Sequence, residues 1–140
     1  MAKIKRDNLQ VLAQVRLNEA RLLMEGGSFA GAYYLAGLAV ECAFKACIAR
    51  STEEFEFPDR DRVKNSWSHD LLQLLRTAGL SDHLTVRIDA DKQFKANWET
   101  VKDWNVESRY EQKSEQEARS IYNAIVEKDV GIIAWVEEFW

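Results

Sequence analysis

The stretch from residue 28 to 49, SFAGAYYLAGLAVECAFKACIA, constrains the fold most, because it predicts a helix that is apolar almost all the way round. A helix of this kind belongs inside a bundle of other helices. At helical pitch its small residues form one stripe that lets a neighbouring helix approach closely: Ala32, Ala36, Ala39, Ala43 and Ala46. A second stripe carries large side chains that can fill a core: Phe29, Tyr33, Val40, Phe44 and Ile48. A third sector holds Glu41 and Lys45, one helical turn apart, and is the first place to look for function.

The same stretch raises the question of a membrane, since roughly 20 apolar residues can span a bilayer. Glu41 and Lys45 argue against a span, and polar residues follow the basic N-terminus at once, where a signal peptide would have an apolar core. We therefore expect a soluble, cytoplasmic protein. Cys42 and Cys47 lie about 140° apart around the helix, so they cannot pair with each other. No metal-ligand spacing surrounds them, and we expect neither a metal nor a cofactor.

Composition favours one all-α domain over residues 1–140. The chain has a single proline and six glycines among 140 residues, and alanine, leucine and long charged residues are abundant. The net charge of −4 argues against a general basic surface for nucleic acid, so any nucleic-acid site must be local. The periodic segments predict four to five helices.

The first predicted helix begins at Asp7 as N-cap and ends at Gly26 and Gly27. Arg16 falls on its core-facing side, where a guanidinium needs a carboxylate partner, and Glu41 is the obvious one. Residues 51–67 read as a long loop, and Ser68 as the cap of a short helix that ends at Gly79. The segment 81–91 reads as irregular or weakly helical, and residues 92–104 as a helix.

The last helix is the best signalled, because Ser114 and Glu117 form a capping box. Its apolar face continues to Phe139, with Asp129 in the middle of the same stripe just before Gly131. The pattern leaves two alternatives open. Either the helix is disturbed at this point, or Asp129 is a second inward-facing carboxylate.

Together these features resemble the HEPN family, the "higher eukaryotes and prokaryotes nucleotide-binding" domains. The resemblance rests on the small-residue helix ending in ECAFKA at 41 to 46, on SHDL at 68 to 71, on Trp98 with Trp104, and on ESRY at 107 to 110. It implies an up-and-down helical bundle that commonly forms a homodimer. It also implies one of two roles. Some members resemble metal-independent ribonucleases with an Arg followed by a His, and others are binding partners of small nucleotidyltransferases, often in toxin–antitoxin or defence systems.

Two arginine–histidine pairs test the ribonuclease alternative: Arg62 with His69, and Arg76 with His83. In each pair the histidine follows the arginine by seven residues, which satisfies the family's spacing only loosely. Neither lies late in the chain, where the resemblance places the catalytic pair, and Arg109 in that region is followed by Tyr110 and by no histidine. We therefore expect the nuclease motif to be absent. The other interpretation of His69 is a first-turn residue of a short helix.

Four residues are candidates for binding a nucleotide or a partner: Arg109, Tyr110, Lys45 and Glu41. Arg109 could hold a phosphate bidentately and Tyr110 could stack on a base, since binding residues concentrate on connections between helices. Alternatively, Arg109 neutralises an acidic side chain. Glu41 is expected to meet Arg16 or Arg109 rather than Lys45, because an i,i+4 contact contributes only about 0.2–0.5 kcal/mol.

The leading hypothesis is a non-catalytic HEPN-type binding module, dimeric through its central helices and late tryptophans. The partner would be a nucleotidyltransferase-like protein, with nucleotide or RNA at a local site. The alternatives are an RNA-cleaving toxin using His69 or His83, and a structural or assembly protein.

Overall fold

The computed structural model describes residues 4–52, 57 and 59–140, and within them the chain is all-α, with no strands. The described helices are α1 (Arg6–Glu25), α2 (Phe29–Arg50), α3 (Arg60–Ser66), α4 (Leu71–Thr77), α5 (Ser81–Ala90), α6 (Lys92–Val101), α7 (Glu115–Val126) and α8 (Ile132–Glu137), with a 3-10 helix at Val106–Tyr110. The all-α prediction is confirmed. The predicted count of four to five is wrong, because the middle of the chain forms short helices and the last predicted helix is two.

Helices α1 and α2 form a hairpin closed by the two glycines. Gly27 adopts a left-handed φ of 81°, and the Ser28 N–H donates to the Leu23 carbonyl at 2.8 Å, which reverses the chain within three residues. Helix α1 begins two residues earlier than predicted, at Arg6. Lys5, not Asp7, is the N-cap, and its N–H donates to Asn8 Oδ1 at 3.2 Å.

Helix α2 lies at the centre of the core. The whole alanine stripe from Ala32 to Ala46 is buried, and α1, α4, α7, α8 and the 3-10 helix pack around α2. This is the one helix among the described residues that is long and apolar enough to cross a membrane, with a mean hydropathy of 1.4 in its best window. Because 67% of that window is buried inside the bundle, packing accounts for its apolar character.

The Trp104 ring packs directly against the backbone of α2 at Gly37. A Cβ atom added there would lie 2.2 Å from the indole ring of Trp104, and Tyr34 stacks on the same ring at 6.0 Å between centroids. Trp98 and Trp135 are buried as well. The bundle therefore covers these three tryptophans itself, and they are not available for the dimer interface that the sequence was expected to form with them.

Two segments predicted to lack regular structure are helical. α3 begins after Asp59, whose carboxylate accepts the Asp61 N–H at 2.9 Å, within the stretch predicted to be a loop. Residues 53–56 and 58 of that stretch lie outside the described residues. Residues 81–90 form α5, because Leu84 and Ile88 are also one helical turn apart and both pack on the core.

The capping box at Ser114 is confirmed, with the two reciprocal bonds to Glu117 both 3.1 Å long. Of the alternatives for Asp129, the disturbed helix is correct, since Asp129 is exposed and takes a φ of 67° between α7 and α8. Gly131 follows it where an added Cβ would lie 2.5 Å from two backbone oxygens. No side chain larger than hydrogen fits this turn.

Burial controls the chemistry of the two thiols. It raises the pKa of Cys47 to about 12 and also raises that of Cys42, so both are held as neutral thiols near neutral pH. We expect Cys47 to resist iodoacetamide at pH 8 in the native protein and to react readily in denaturant, because the thiolate is the nucleophile. Peptide mass spectrometry would check this. Labelling at equal rates in the two conditions would show that Cys47 is accessible.

Candidate functional site

Glu41 is the most deeply buried charged side chain among the described residues, with 6% of it exposed. One carboxylate oxygen, Oε2, accepts from Lys45 Nζ at 3.2 Å, one turn later on α2. The other oxygen, Oε1, lies 3.0 Å from Nδ1 of His69, which comes from the turn before α4. The carboxylate is thus satisfied from both sides within the bundle, as burial of a charge requires.

His69 is positioned by the start of α4. Asp70 is the N-cap, because its Oδ1 accepts the Gln73 N–H at 3.1 Å, and the Asp70 N–H donates to Ser68 Oγ at 3.0 Å. Both predictions for this segment are wrong: Ser68 is not the cap, and His69 precedes the helix. Since an ionised carboxylate only accepts hydrogen bonds, Nδ1 carries the proton toward Glu41, and in the neutral ring Nε2 has the free lone pair.

Members of this cluster line two surface cavities. The first, of about 380 Å³, is mostly apolar and includes Glu41, Cys42, Lys45 and Trp67 in its lining. The second, of about 390 Å³, is more polar and includes His69, Asp70, Lys102 and Trp104. The Glu41–His69 contact therefore connects the walls of two separate cavities.

The predicted ion pair of Glu41 with Arg16 or Arg109 is wrong. Arg16 is partly buried and bonds to Glu19 on its own helix, not to Glu41 on α2. Lys45, expected to be too weak a partner, is the cation that Glu41 meets. The reason is that His69 supplies a second bond, so Lys45 does not have to compensate the carboxylate alone.

In each arginine–histidine pair, the contacts of the arginine and of the histidine are with other groups. Arg62 donates to the carbonyls of Thr77 and Ile48 at 3.0 and 3.2 Å, and so ties the end of α2 to the end of α4. His69 is held by Glu41. His83 packs its ring on Phe139 at 4.7 Å between centroids, and Arg76 is exposed on the last turn of α4.

Arg109 and Tyr110 are exposed at the end of the 3-10 helix. The Arg109 guanidinium lies 4.8 Å from the centre of the Tyr110 ring, and 75% of Tyr110 is exposed. Close by in sequence, Lys113 Nζ lies 4.5 Å above the ring of Tyr33. The segment 109–113 thus combines two cations with aromatic rings.

The two cations of this segment have different surroundings. Lys113 is only 15% exposed and forms ion pairs with Glu111 at 2.9 Å and Glu117 at 3.6 Å, whereas Arg109 is exposed beside Tyr110. The neighbouring Tyr110 hydroxyl raises the pKa of Arg109, and its bond to Glu111 raises the pKa of Lys113. Burial is the main cause that raises the pKa of Tyr33, so this ring stays a neutral phenol. Both cations are therefore charged throughout the physiological range.

The structure divides the predicted site residues into two groups. It brings Glu41 and Lys45 together with His69, and it keeps Arg109 and Tyr110 at the 3-10 helix with Lys113. Sequence reasoning missed the bond between Glu41 and His69. The useful signal was a histidine just before a helix start and a buried carboxylate in the same sequence.

No protein-family model matches this sequence, and no curated protein or solved structure proved similar to it. Among the described residues, no group of three or more His, Cys, Asp or Glu side chains could hold a metal ion.

Proposed function

We propose that this chain is a non-catalytic, HEPN-type helical binding module that recognises a nucleotide or RNA phosphate through Arg109 and Tyr110. The proposal includes the up-and-down bundle topology of that family and a cytoplasmic location. In a toxin–antitoxin or defence system, its partner would be a small nucleotidyltransferase-like protein.

The exposed Arg109–Tyr110 pair carries this proposal. An exposed phenol stacks on a base without regard to sequence, and a guanidinium binds phosphate through two parallel hydrogen bonds. Arg109 already lies along the Tyr110 ring, so both groups face the same solvent region and could contact one nucleotide together. Lys113 on the same segment is already paired with Glu111 and Glu117, so the proposal assigns phosphate recognition to Arg109.

Glu41 and Lys45 were candidates for binding a nucleotide or a partner, and we do not include them in the proposed nucleotide site. Their charges are directed at each other and at His69. We assign them to holding α4 against α2, and the nucleotide to the exposed 3-10 segment.

Titration of ATP by isothermal calorimetry tests the proposal. We expect Arg109→Ala to weaken binding about tenfold or more, because a hydrogen bond to a charged group contributes about 1.5–3 kcal/mol. Tyr110→Ala should weaken it as well, through lost stacking. Arg119→Ala is the matched control, since Arg119 is an exposed arginine on α7 paired with Glu115. Equal affinities for the Arg109 and Arg119 variants would contradict the proposal.

A second function, hydrolysis at His69, has one observation in its favour. Glu41 fixes the imidazole through Nδ1, as a carboxylate does for a general base, and the ring lines a polar cavity. A metal-independent ribonuclease also needs a cation for the phosphorane charge. Arg62, the arginine upstream of His69, directs its guanidinium at backbone carbonyls.

We therefore expect no RNA cleavage when the purified protein is incubated with structured and single-stranded RNA in chelator. General acid–base help contributes about 10²–10⁴ in rate, and the Arg109 segment has no imidazole to supply it. His69→Ala and His83→Ala are the diagnostic variants. Cleavage that disappears in either one would replace the binding module with the nuclease.

A further inference from the structure

The outward face of α1 carries an apolar seam that the bundle leaves uncovered. Five residues, spaced alternately three and four apart, define this outer seam: Asn8, Val11, Val15, Asn18 and Leu22. All five are exposed, and the three apolar side chains have exposed fractions of 62%, 40% and 52% in that order. The residues of α1 that face the core are different ones: Leu9, Ala13, Leu17, Ala20 and Met24.

The spacing of the outer seam is that of a coiled coil. Apolar residues that alternate at three and four positions keep one stripe in register with a second helix. Scattered exposed apolar residues are normal on a monomer. The outer seam instead places three apolar residues and two asparagines in one heptad-spaced row opposite the core-facing stripe, an arrangement that fits a second helix. The occupant that the seam fits is another copy of itself.

We infer that two copies of this chain pair through α1 in an antiparallel arrangement, with the two-fold axis level with Ala13. The order of residues along the seam is the argument, because it reads almost the same in both directions: Asn, Val, Val, Asn. Val11 then meets the partner's Val15, and Asn8 meets the partner's Asn18. A two-fold interface requires this kind of self-complementarity.

The pairing of Asn8 with the partner's Asn18 is compatible with the hydrogen bonds that both side chains make within their own chain. Asn8 Oδ1 accepts from the Lys5 N–H, and Asn18 Oδ1 accepts from Arg21 at 2.8 Å. An amide oxygen has a second lone pair, so each can also accept from the amide group of the other chain. A polar pair at such a position fixes the register of a helix pair.

Charge complementarity selects the antiparallel orientation. In this register Asp7 lies beside the partner's Arg21, and Lys5 lies beside the partner's Glu19, so each flank carries two opposite-charge pairs across the two-fold axis. Near the two-fold axis, Leu12 lies opposite the partner's Leu12 on one flank, and Gln14 lies opposite the partner's Gln14 on the other flank. A parallel pair would place Asp7 next to the partner's Leu12 and lose these ion pairs. Flanking charges of this kind set helix orientation. The pairing does not depend on the proposed nucleotide site.

Sedimentation at micromolar concentration is the first test, and we expect twice the 16.2 kDa monomer mass. Val11→Asp should raise the dimer dissociation constant roughly 100-fold or more, because it brings a charge into the centre of the interface. Val86→Asp is the matched control, since Val86 is 69% exposed on α5. A monomer at every concentration, or a dimer unaffected by Val11→Asp, overturns the inference. Circular dichroism confirms that both variants are folded.

Orientation is tested by disulfide trapping. Val11→Cys protein is mixed with Val15→Cys protein that carries a longer tag, so that the mixed dimer has its own position on a gel. We expect the mixed disulfide to dominate, and each variant alone to cross-link poorly, because a disulfide needs Cα atoms within about 7 Å. Efficient cross-linking of each variant with itself means a parallel pair and overturns the register. As a further check, Arg21→Glu should weaken the dimer and added Asp7→Arg should restore it.

Discussion

Gly37→Ala is expected to destabilise the protein by about 2–3 kcal/mol, although alanine is the better helix former. The new methyl group would lie 2.2 Å from the Trp104 ring, a distance that no pair of non-bonded heavy atoms tolerates. The ring cannot retreat easily, because it is buried and Tyr34 stacks on it. Overpacking of this kind costs about 1–3 kcal/mol, and we place this site at the upper end because a rigid indole ring meets the methyl group.

Gly31→Ala is the control in the same helix. Its added Cβ would lie 3.1 Å from the end of the flexible Leu23 side chain, which can move. There the gain in helix propensity, up to about 1 kcal/mol, should make the change neutral or slightly stabilising. Chemical denaturation measures both. If the two variants unfold at the same denaturant concentration, Trp104 does not pack on Gly37 as described.

Glu41→Ala is expected to lower the free energy of unfolding by about 3 kcal/mol. The substitution leaves Lys45 without its carboxylate in a mostly buried position and releases His69 from α2. Removing one partner of a buried pair costs about 3–5 kcal/mol, and the partial exposure of Lys45 and His69 places this site at the low end. α4 should also become more mobile, visible as faster amide exchange at Leu74 and Leu75.

Glu115→Ala is the matched control, because Glu115 and Arg119 have the same i,i+4 spacing on an exposed face. Its loss should cost at most about 0.5–1 kcal/mol, from the ion pair and the favourable position at a helix N-terminus. His69→Ala should account for part of the Glu41 effect. If Glu41→Ala and Glu115→Ala melt at the same temperature, the buried carboxylate contributes no more than a surface pair.

The central helix could be predicted well from the sequence, because a helix with such an alanine stripe is stable only when it packs between other helices. A helix with small residues along one side and large ones along the next must lie between other helices, and α2 does. The capping box at Ser114 was equally clear, because both of its bonds are local. The alternation from Leu84 to Ile88 was ambiguous, since two residues four apart fit one face of a helix as well as one side of a strand.

The partners of Glu41 could not be predicted, because they depend on how α4 docks. Nothing near His69 in sequence says that it lies against α2. Arg16 was expected as the partner because it falls on the core-facing side of the first helix, where a guanidinium needs a carboxylate. Arg16 and Glu19 are three residues apart on one helix, so their interaction requires no tertiary contact and could have been predicted from the sequence. The burial of the tryptophans also depends on tertiary contacts: Trp104 packs on Gly37 of α2, and Trp135 packs on Phe94 of α6.

The most direct test of the proposed function is a titration of isotope-labelled protein with ATP, followed by amide chemical shifts. The largest changes are predicted at Arg109 and Tyr110, with smaller ones at Lys113 and none above the background at His69 and Glu41. Shifts concentrated at His69, Lys102 and Asp103, with Arg109 and Tyr110 unchanged, would contradict the binding-module account and place the ligand in the cavity of the histidine.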